Sequence, residues 1–210
     1  MAAGPVSGVA MQLQEYFDQL APTWDKELTP ERLECLGNIV KELGIKPGYH
    51  VLDIGSGTGA LLPFLMTELG KEGRIVALDI SAEMLVQAQA KKFPPVVGFA
   101  QADALAIPLA DGSMDLAICS SAFPHFSDKV KALKEIARVL KANGRLVICH
   151  TMSRETLNRL HQSIGGIVAG DLLPDEFQLR GLLKQAGLKI IRFEDRPERY
   201  MVIAEKSARQ

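Results

Sequence analysis

The sequence is poor in features that would put it in a membrane, a secreted scaffold or a nucleic-acid complex. No apolar run reaches the ~20 residues needed to cross a bilayer, so membrane insertion is not expected. The N-terminal stretch MAAGPVSGVAMQLQEYF has neither a basic start nor a long apolar core, and does not read as a secretory leader. Cysteine is sparse: Cys35, Cys119 and Cys149 are far apart and form no C-x-x-C. That removes a zinc ribbon or a redox dithiol and suits a reducing, cytoplasmic setting. The net charge is only −1, with the basic residues dispersed, whereas nucleic-acid surfaces are typically strongly basic. The four histidines (His50, His125, His150, His161) fall into no H-x-x-x-H or H-E-x-x-H, so no metal site is expected.

What is present is ordinary globular material, 210 residues with 47% hydrophobic and 23% charged, enough for one domain with a small cap. After the small residues 1–7, weak helical periodicity covers Gly8–Leu20, and APTWDKELTP reads as a loop. Thr29-Pro30-Glu31 is a helix start: a capping hydroxyl, proline in the first turn, then an acid. Leu33, Leu36, Ile39, Val40 and Leu43 follow at helical spacing until Gly44.

From Tyr49 onward strands and helices alternate. Strands are predicted at 49–54, 74–78, 96–100, 114–119 and 145–150, and helices at 58–69, 82–92 and 128–140, the last ended by Asn143-Gly144. A helix over 175–186 and a hairpin of strands 188–193 and 200–204 close the chain. Such alternation predicts an α/β fold with a doubly wound, mostly parallel seven-stranded sheet and an antiparallel C-terminal hairpin. Residues 151–173 form an unusually long connection containing Gly165, Gly166 and Gly170, as lids and binding loops often do.

The chemistry is concentrated in VLDIGSGTG, residues 51–59. A glycine loop after the first strand of an open α/β sheet is where a nucleotide is expected. Gly55, Gly57 and Ala60 satisfy a loose dinucleotide fingerprint, so that loop alone leaves an NAD(P)-dependent oxidoreductase open. Asp53 weighs against it, because a carboxylate there repels a pyrophosphate and suits a cationic or zwitterionic ligand. Asp79, ending the second strand, can accept both ribose hydroxyls of either ligand. A short-chain dehydrogenase needs a Tyr with a Lys four residues later; Tyr16, Tyr49 and Tyr200 are followed instead by Leu20, Asp53 and Ala204.

Taken in order, VLDIGSGTG, ALDISAEML, QADALAIPLADGSMD, LAICSSAFPHF and KEIARVLKANGRLVICH resemble the motifs of class I S-adenosylmethionine-dependent methyltransferases. The branch resembled is that of the ubiquinone/menaquinone C-methyltransferases, the methyltransferase type 11 domain. Upstream, FDQLAPTWD resembles F-D-x-x-A-x-x-Y-D, with Trp24 in place of the usual Tyr. The resemblance implies S-adenosyl-L-methionine as cofactor and a Rossmann-like methyltransferase fold. It implies that Asp53, Gly55, Ser56 and Gly57 wrap the methionine end. Asp79 and Ile80 would hold the ribose, with Met84, Asp103 and Ala104 at the adenine and Ser120 facing the amino group. Residues 1–45 would be a helical cap, 46–205 the methyltransferase domain and 151–173 its lid.

The acceptor expected is a small molecule. No N-P-P-Y or D-P-P-Y follows the fourth strand, which argues against methylation of DNA amines, and there is no Pro-Cys for cytosine C5. Imidazole is the natural base near neutrality, and His125 and His150, both at the carboxyl edge of the sheet, are the catalytic candidates. A cofactor-binding protein without turnover stays open, as does a homodimer.

Overall fold

The computed structural model describes residues 8–207; the small leading residues 1–7 lie outside the described residues. The chain divides into two compact units, Met1–Asp103 and Ala104–Gln210. The first runs through α1 (Gly8–Leu20), a 3-10 segment (Ala21–Glu27), α2 (Pro30–Glu42), β1 (His50–Ile54), α3 (Leu62–Leu69), β2 (Arg74–Asp79), α4 (Ala82–Ala90) and β3 (Val97–Gln101). The second runs through β4 (Met114–Ser120), a 3-10 turn (Phe123–His125), α5 (Lys129–Val139), β5 (Leu140–His150), α6 (Arg154–Ile164) and a 3-10 turn (Gly166–Val168). It ends with α7 (Glu176–Gln185), β6 (Leu188–Arg196) and β7 (Arg199–Lys206).

The seven strands follow the order β3-β2-β1-β4-β5-β7-β6. β1–β2, β2–β3 and β4–β5 are parallel, and β5–β7 and β6–β7 antiparallel, so the expected α/β sheet with its C-terminal hairpin is observed. Parallel strands covered by crossover helices read as continuous apolar runs. Val51, Leu52 and Ile54 of β1 and Ile75, Ala77 and Leu78 of β2 are accordingly buried. Leu62, Leu65 and Leu69 form the buried stripe of α3, and Leu36, Ile39 and Val40 that of α2. In the second unit Leu133 and Ile136 of α5, Leu179 and Leu183 of α7, and Met201–Ala204 of β7 are its core.

Local chemistry sets the helix starts. Thr29 accepts the Arg32 N–H, Ser81 that of Met84, Asp128 that of Lys131 and Ser153 that of Thr156. Asp175 and Gln178 complete a capping box on α7.

Three local expectations are corrected. APTWDKELTP is not a simple loop, since Ala21–Glu27 winds into 3-10 turns. The helix expected from Thr58 begins at Leu62, because Gly57 and Gly59 hold φ of 53° and 84° and no helix can pass through them. The helix expected to reach Leu140 ends at Val139, and Asn143-Gly144 lies instead within β5. There Asn143 has φ 61°, and the pairing shifts register, from Met114↔Leu140 to Leu116↔Arg145. Asn tolerates that left-handed geometry, so the dipeptide marks a bulge rather than a helix stop.

Candidate active site

The first unit builds a site at the carboxyl ends of β1 and β2. Gly55 and Ser56 donate their N–H groups to the Leu78 carbonyl (2.8 and 3.0 Å), turning the chain sharply off β1. Gly57 then donates to Asp79 Oδ2 at 2.7 Å, and Ser81 N–H donates to Asp79 Oδ1 at 2.9 Å. Asp79 is thus fixed by backbone donors from the loop it faces. Burial pushes its carboxyl above the ordinary range; the Ser81, Gly57 and Ile80 N–H groups oppose that, and the Asp18 carboxylate adds to it.

Asp53 differs. It is 1% exposed, and neither carboxylate oxygen has a hydrogen-bond partner among the described residues. Burial, then the neighbouring Asp79 charge, raises its carboxyl from the ordinary 3.8 to about 7. A buried carboxylate without donors is costly unless a ligand supplies them.

The segment after α1 ties itself to this loop. Asp18 accepts from the Ser81 hydroxyl and from Glu83 N–H (3.1 Å) at the start of α4. Asp25 accepts from the Thr58 hydroxyl and pairs with Lys91 Nζ at 2.7 Å. Burial would raise the Asp25 carboxyl, but the Lys91 and Thr58 hydrogen bonds and the Lys91 charge hold it below its usual value. Trp24, half-buried against the edge of Phe17, brings its indole Nε1 to 3.6 Å from where a Cβ on Gly57 would stand; Met84 Sδ is at 4.0 Å from that point. Met84 is 2% exposed, Ser56 buried, and Ile80 and Asp103 half-buried. Asp18, Asp25, Thr58 and Lys91 were not singled out from sequence. The signal available was the two acids of FDQLAPTWD.

The second unit holds Ala104, which is buried, and Ser120, half-buried at the end of β4. Ser121 follows with φ 57° and donates its N–H to Cys149 O at 2.9 Å. The 3-10 turn then presents His125, whose side chain is 12% exposed and whose Nδ1 lies 2.8 Å from Asp171 Oδ2. His161 of α6 hydrogen-bonds the Asp171 carbonyl through its own Nδ1, and the two imidazole centroids are 5.0 Å apart. Burial pushes the His125 imidazolium down; Asp171 opposes this, and the His161 and Lys129 charges reinforce it. Lys129 donates to the Pro124 and Phe126 carbonyls. Asn158 bonds both the N–H and the carbonyl of Leu173 (2.8 and 3.1 Å), tying α6 to Leu173.

His150 sits at the end of β5 at 1% exposure, edge-on to Tyr200 with ring centroids 6.0 Å apart. Burial raises the Tyr200 hydroxyl well above its ordinary range, which keeps it neutral. Among the described residues no group of three or more His, Cys, Asp or Glu side chains could hold a metal ion.

A mostly parallel sheet with a glycine loop and an acid at the ends of its first two strands is the Rossmann-like arrangement. Comparison with known proteins gives the class. Residues 52–148 match the family model described as a methyltransferase domain. The chain is 33% identical to the demethylmenaquinone methyltransferase of Corynebacterium kroppenstedtii, over 71% of this chain and 72% of that one. It is 27% identical to the ubiquinone/menaquinone biosynthesis C-methyltransferase UbiE of Hahella chejuensis, over 90% and 88%. A SAM-dependent methyltransferase from Aquifex aeolicus superposes with a TM-score of 0.72 at 28% identity, covering 88% of this chain and 98% of that one. The complex of the Haloferax volcanii Trm112 activator with a putative methyltransferase contributes a chain of the same fold (TM-score 0.79, 21% identity, 91% and 98% covered).

The chain belongs to the class I S-adenosylmethionine-dependent methyltransferases. It is a transferase whose cofactor is S-adenosyl-L-methionine. The bound cofactor supplies a methyl group on a sulfonium, an already activated leaving group, so the protein's own task is to bind, orient and exclude water.

Proposed function

We propose that the first unit holds S-adenosylmethionine through Asp53, the Gly55–Gly57 loop and Asp79, and that the methyl group passes to a small hydroxylated ring. The observation that carries this is Asp53, a buried carboxylate with two unpartnered oxygens directly ahead of the glycine loop. A pyrophosphate would be repelled there, whereas the ammonium and sulfonium of this cofactor would be attracted. Asp79 keeps acceptor capacity for the ribose hydroxyls beyond its two backbone bonds. Ser56 and Ile80 complete the turn around it. Met84, Trp24 and Asp103 are the remaining proposed cofactor contacts of this unit. The α1–α2 segment caps the cofactor end through Asp18 and Asp25.

The acceptor reading is supported by the names of the relatives, which are quinone-pathway methyltransferases. Residues 151–173 are the proposed cover of the acceptor, with His125 as the group that meets it. His150, enclosed against Tyr200, is the weaker candidate and serves to orient. The near-neutral charge supports a small molecule over nucleic acid, and three cysteines outside any disulfide support a cytoplasmic setting. Among the described residues no helix is long and apolar enough to cross a membrane.

Calorimetric titration with S-adenosylhomocysteine, with NADP⁺ alongside and a repeat on Asp79→Ala, tests the reading. Micromolar binding that weakens by about tenfold or more on losing the carboxylate is expected. Binding of NADP⁺ alone would overturn it.

A further inference from the structure

We infer that Lys91 is a positioning residue for the glycine loop, and that it makes high cofactor affinity conditional on the docking of Ala21–Glu27. This rests on the reading above that the loop holds S-adenosylmethionine, and adds the group that holds the loop.

Gly57 and Gly59 take φ of 53° and 84°, a geometry that glycine adopts freely and that leaves the loop little rigidity of its own. Between them stands Thr58, 1% exposed. Its polar groups are met from outside the loop. Lys91 Nζ, at the end of α4, donates to the Thr58 carbonyl at 2.8 Å. The Thr58 hydroxyl donates to Asp25 Oδ1, and Asp25 Oδ2 pairs with the same Lys91 Nζ at 2.7 Å. Thr58 carbonyl, Lys91 ammonium, Asp25 carboxylate and Thr58 hydroxyl close a hydrogen-bonded ring. Buried polar groups that lose their partners are costly, so this loop geometry and the docking of Asp25 favour one another.

The opposite end of α4 holds the rest of the loop. Ser81 N–H donates to Asp79 Oδ1, and Gly57 N–H donates to Asp79 Oδ2. The helix therefore braces Asp79 at its start and Thr58 at its end. The 3-10 segment that carries Asp25 also carries Trp24, whose indole Nε1 is 3.6 Å from where a Cβ on Gly57 would stand. Docking of Asp25 on Lys91 sets that indole beside the loop.

The Lys91 and Asp25 side chains are 34% and 51% exposed, and an ion pair so exposed adds little to global stability. Its effect falls on which geometry a glycine loop adopts. By linkage, docking of Ala21–Glu27 strengthens cofactor binding by the same factor that bound cofactor strengthens docking. Salt, which screens exposed pairs, weakens both.

Trp24 is the single tryptophan of the chain, so its fluorescence reports on the docking directly. The test measures acrylamide quenching of Trp24 and affinity for S-adenosylhomocysteine in the wild type, Lys91→Met and Lys91→Arg, at low salt and in sodium chloride. In the wild type the ligand should lower quenching by about twofold or more. Raising salt to about 1 M should weaken binding about threefold. Lys91→Met should weaken binding about tenfold, leave Trp24 equally quenched with and without ligand, and remove the salt dependence. Lys91→Arg, a cation long enough to meet both acceptors, should restore most of each effect. Both variants should melt within about 3 °C of the wild type. Binding by Lys91→Met within about twofold of the wild type, or ligand protection of Trp24 that survives in it, would overturn the inference. So would a Lys91→Met protein that melts far below the wild type with no rescue of binding by Lys91→Arg, the signature of a merely structural role. Absence of S-adenosylhomocysteine binding in the wild type would instead overturn the cofactor reading.

Discussion

Replacing Asp53 by Asn should make the protein without ligand more stable at alkaline pH and yet poorer at binding its cofactor. The folded carboxyl titrates at about 7 against an ordinary 3.8, a gap of about three units. Between those values the folded state alone keeps the proton, so stability falls as pH rises through the window and is flat outside it. At about 1.4 kcal/mol per unit, the ionised group costs on the order of 4 kcal/mol above pH 7, with no solvent to screen it. The Asp53→Asn variant, with a neutral amide in that place, carries no such loss. Melting wild type and variant from about pH 4 to about pH 8.5 should therefore show the variant gaining on the wild type as pH rises, by up to about 10 °C for a chain of this size.

Ligand reverses the order. A cationic cofactor needs the ionised carboxylate, so wild-type affinity for S-adenosylmethionine should drop about tenfold per unit below pH 7, and the variant should be weak and pH-independent. Parallel melting curves for the two proteins without ligand, or equal affinities, would refute the assignment of Asp53 as the buried counter-ion.

Asp79→Ala removes the acceptor for the Gly57 and Ser81 N–H groups, so besides lost affinity it should speed amide exchange at Gly57. Gly59→Ala places a Cβ at φ 84° and 2.8 Å from Leu62 Cδ1, and a loss of about 2–4 kcal/mol in denaturant titration is expected. Asp25→Asn breaks a half-exposed pair with Lys91 and should cost under about 1 kcal/mol, seen above pH 3.8 and vanishing as acid protonates the wild-type carboxylate. Its effect on S-adenosylhomocysteine affinity should exceed its effect on stability. Phe177→Ser, at a side chain 87% exposed, should leave the melting temperature within about 2 °C.

The strands and the glycine loop were legible because each announces itself within a short span of chain. The strand residues Val51, Leu52, Ile54, Ile75, Ala77 and Leu78 are buried, and the alternate glycines after β1 take the positive φ that other residues rarely adopt. The misreadings also have local causes. Asn143-Gly144 suits a helix end and a bulge equally, and only pairing with β4 selected the bulge. Ala21–Glu27 carries a proline in its first turn and no strong periodicity, and its short 3-10 winding leaves no signature in the pattern.

The residue pattern alone determined the α/β class, the order of elements, the glycine loop after β1 and the acid near the end of each of the first two strands, since these follow from periodicity, backbone freedom and charge over short spans. It could not say which of four histidines has a carboxylate partner. Asp171 is 46 residues from His125, Asp25 is 33 from Thr58, and Asp18 is 63 from Ser81. Such pairings exist only once the chain has crossed the sheet and returned. The same holds for Asp53, whose carboxylate is conspicuous in the sequence but becomes an unpartnered buried charge only when β1 is enclosed on every side.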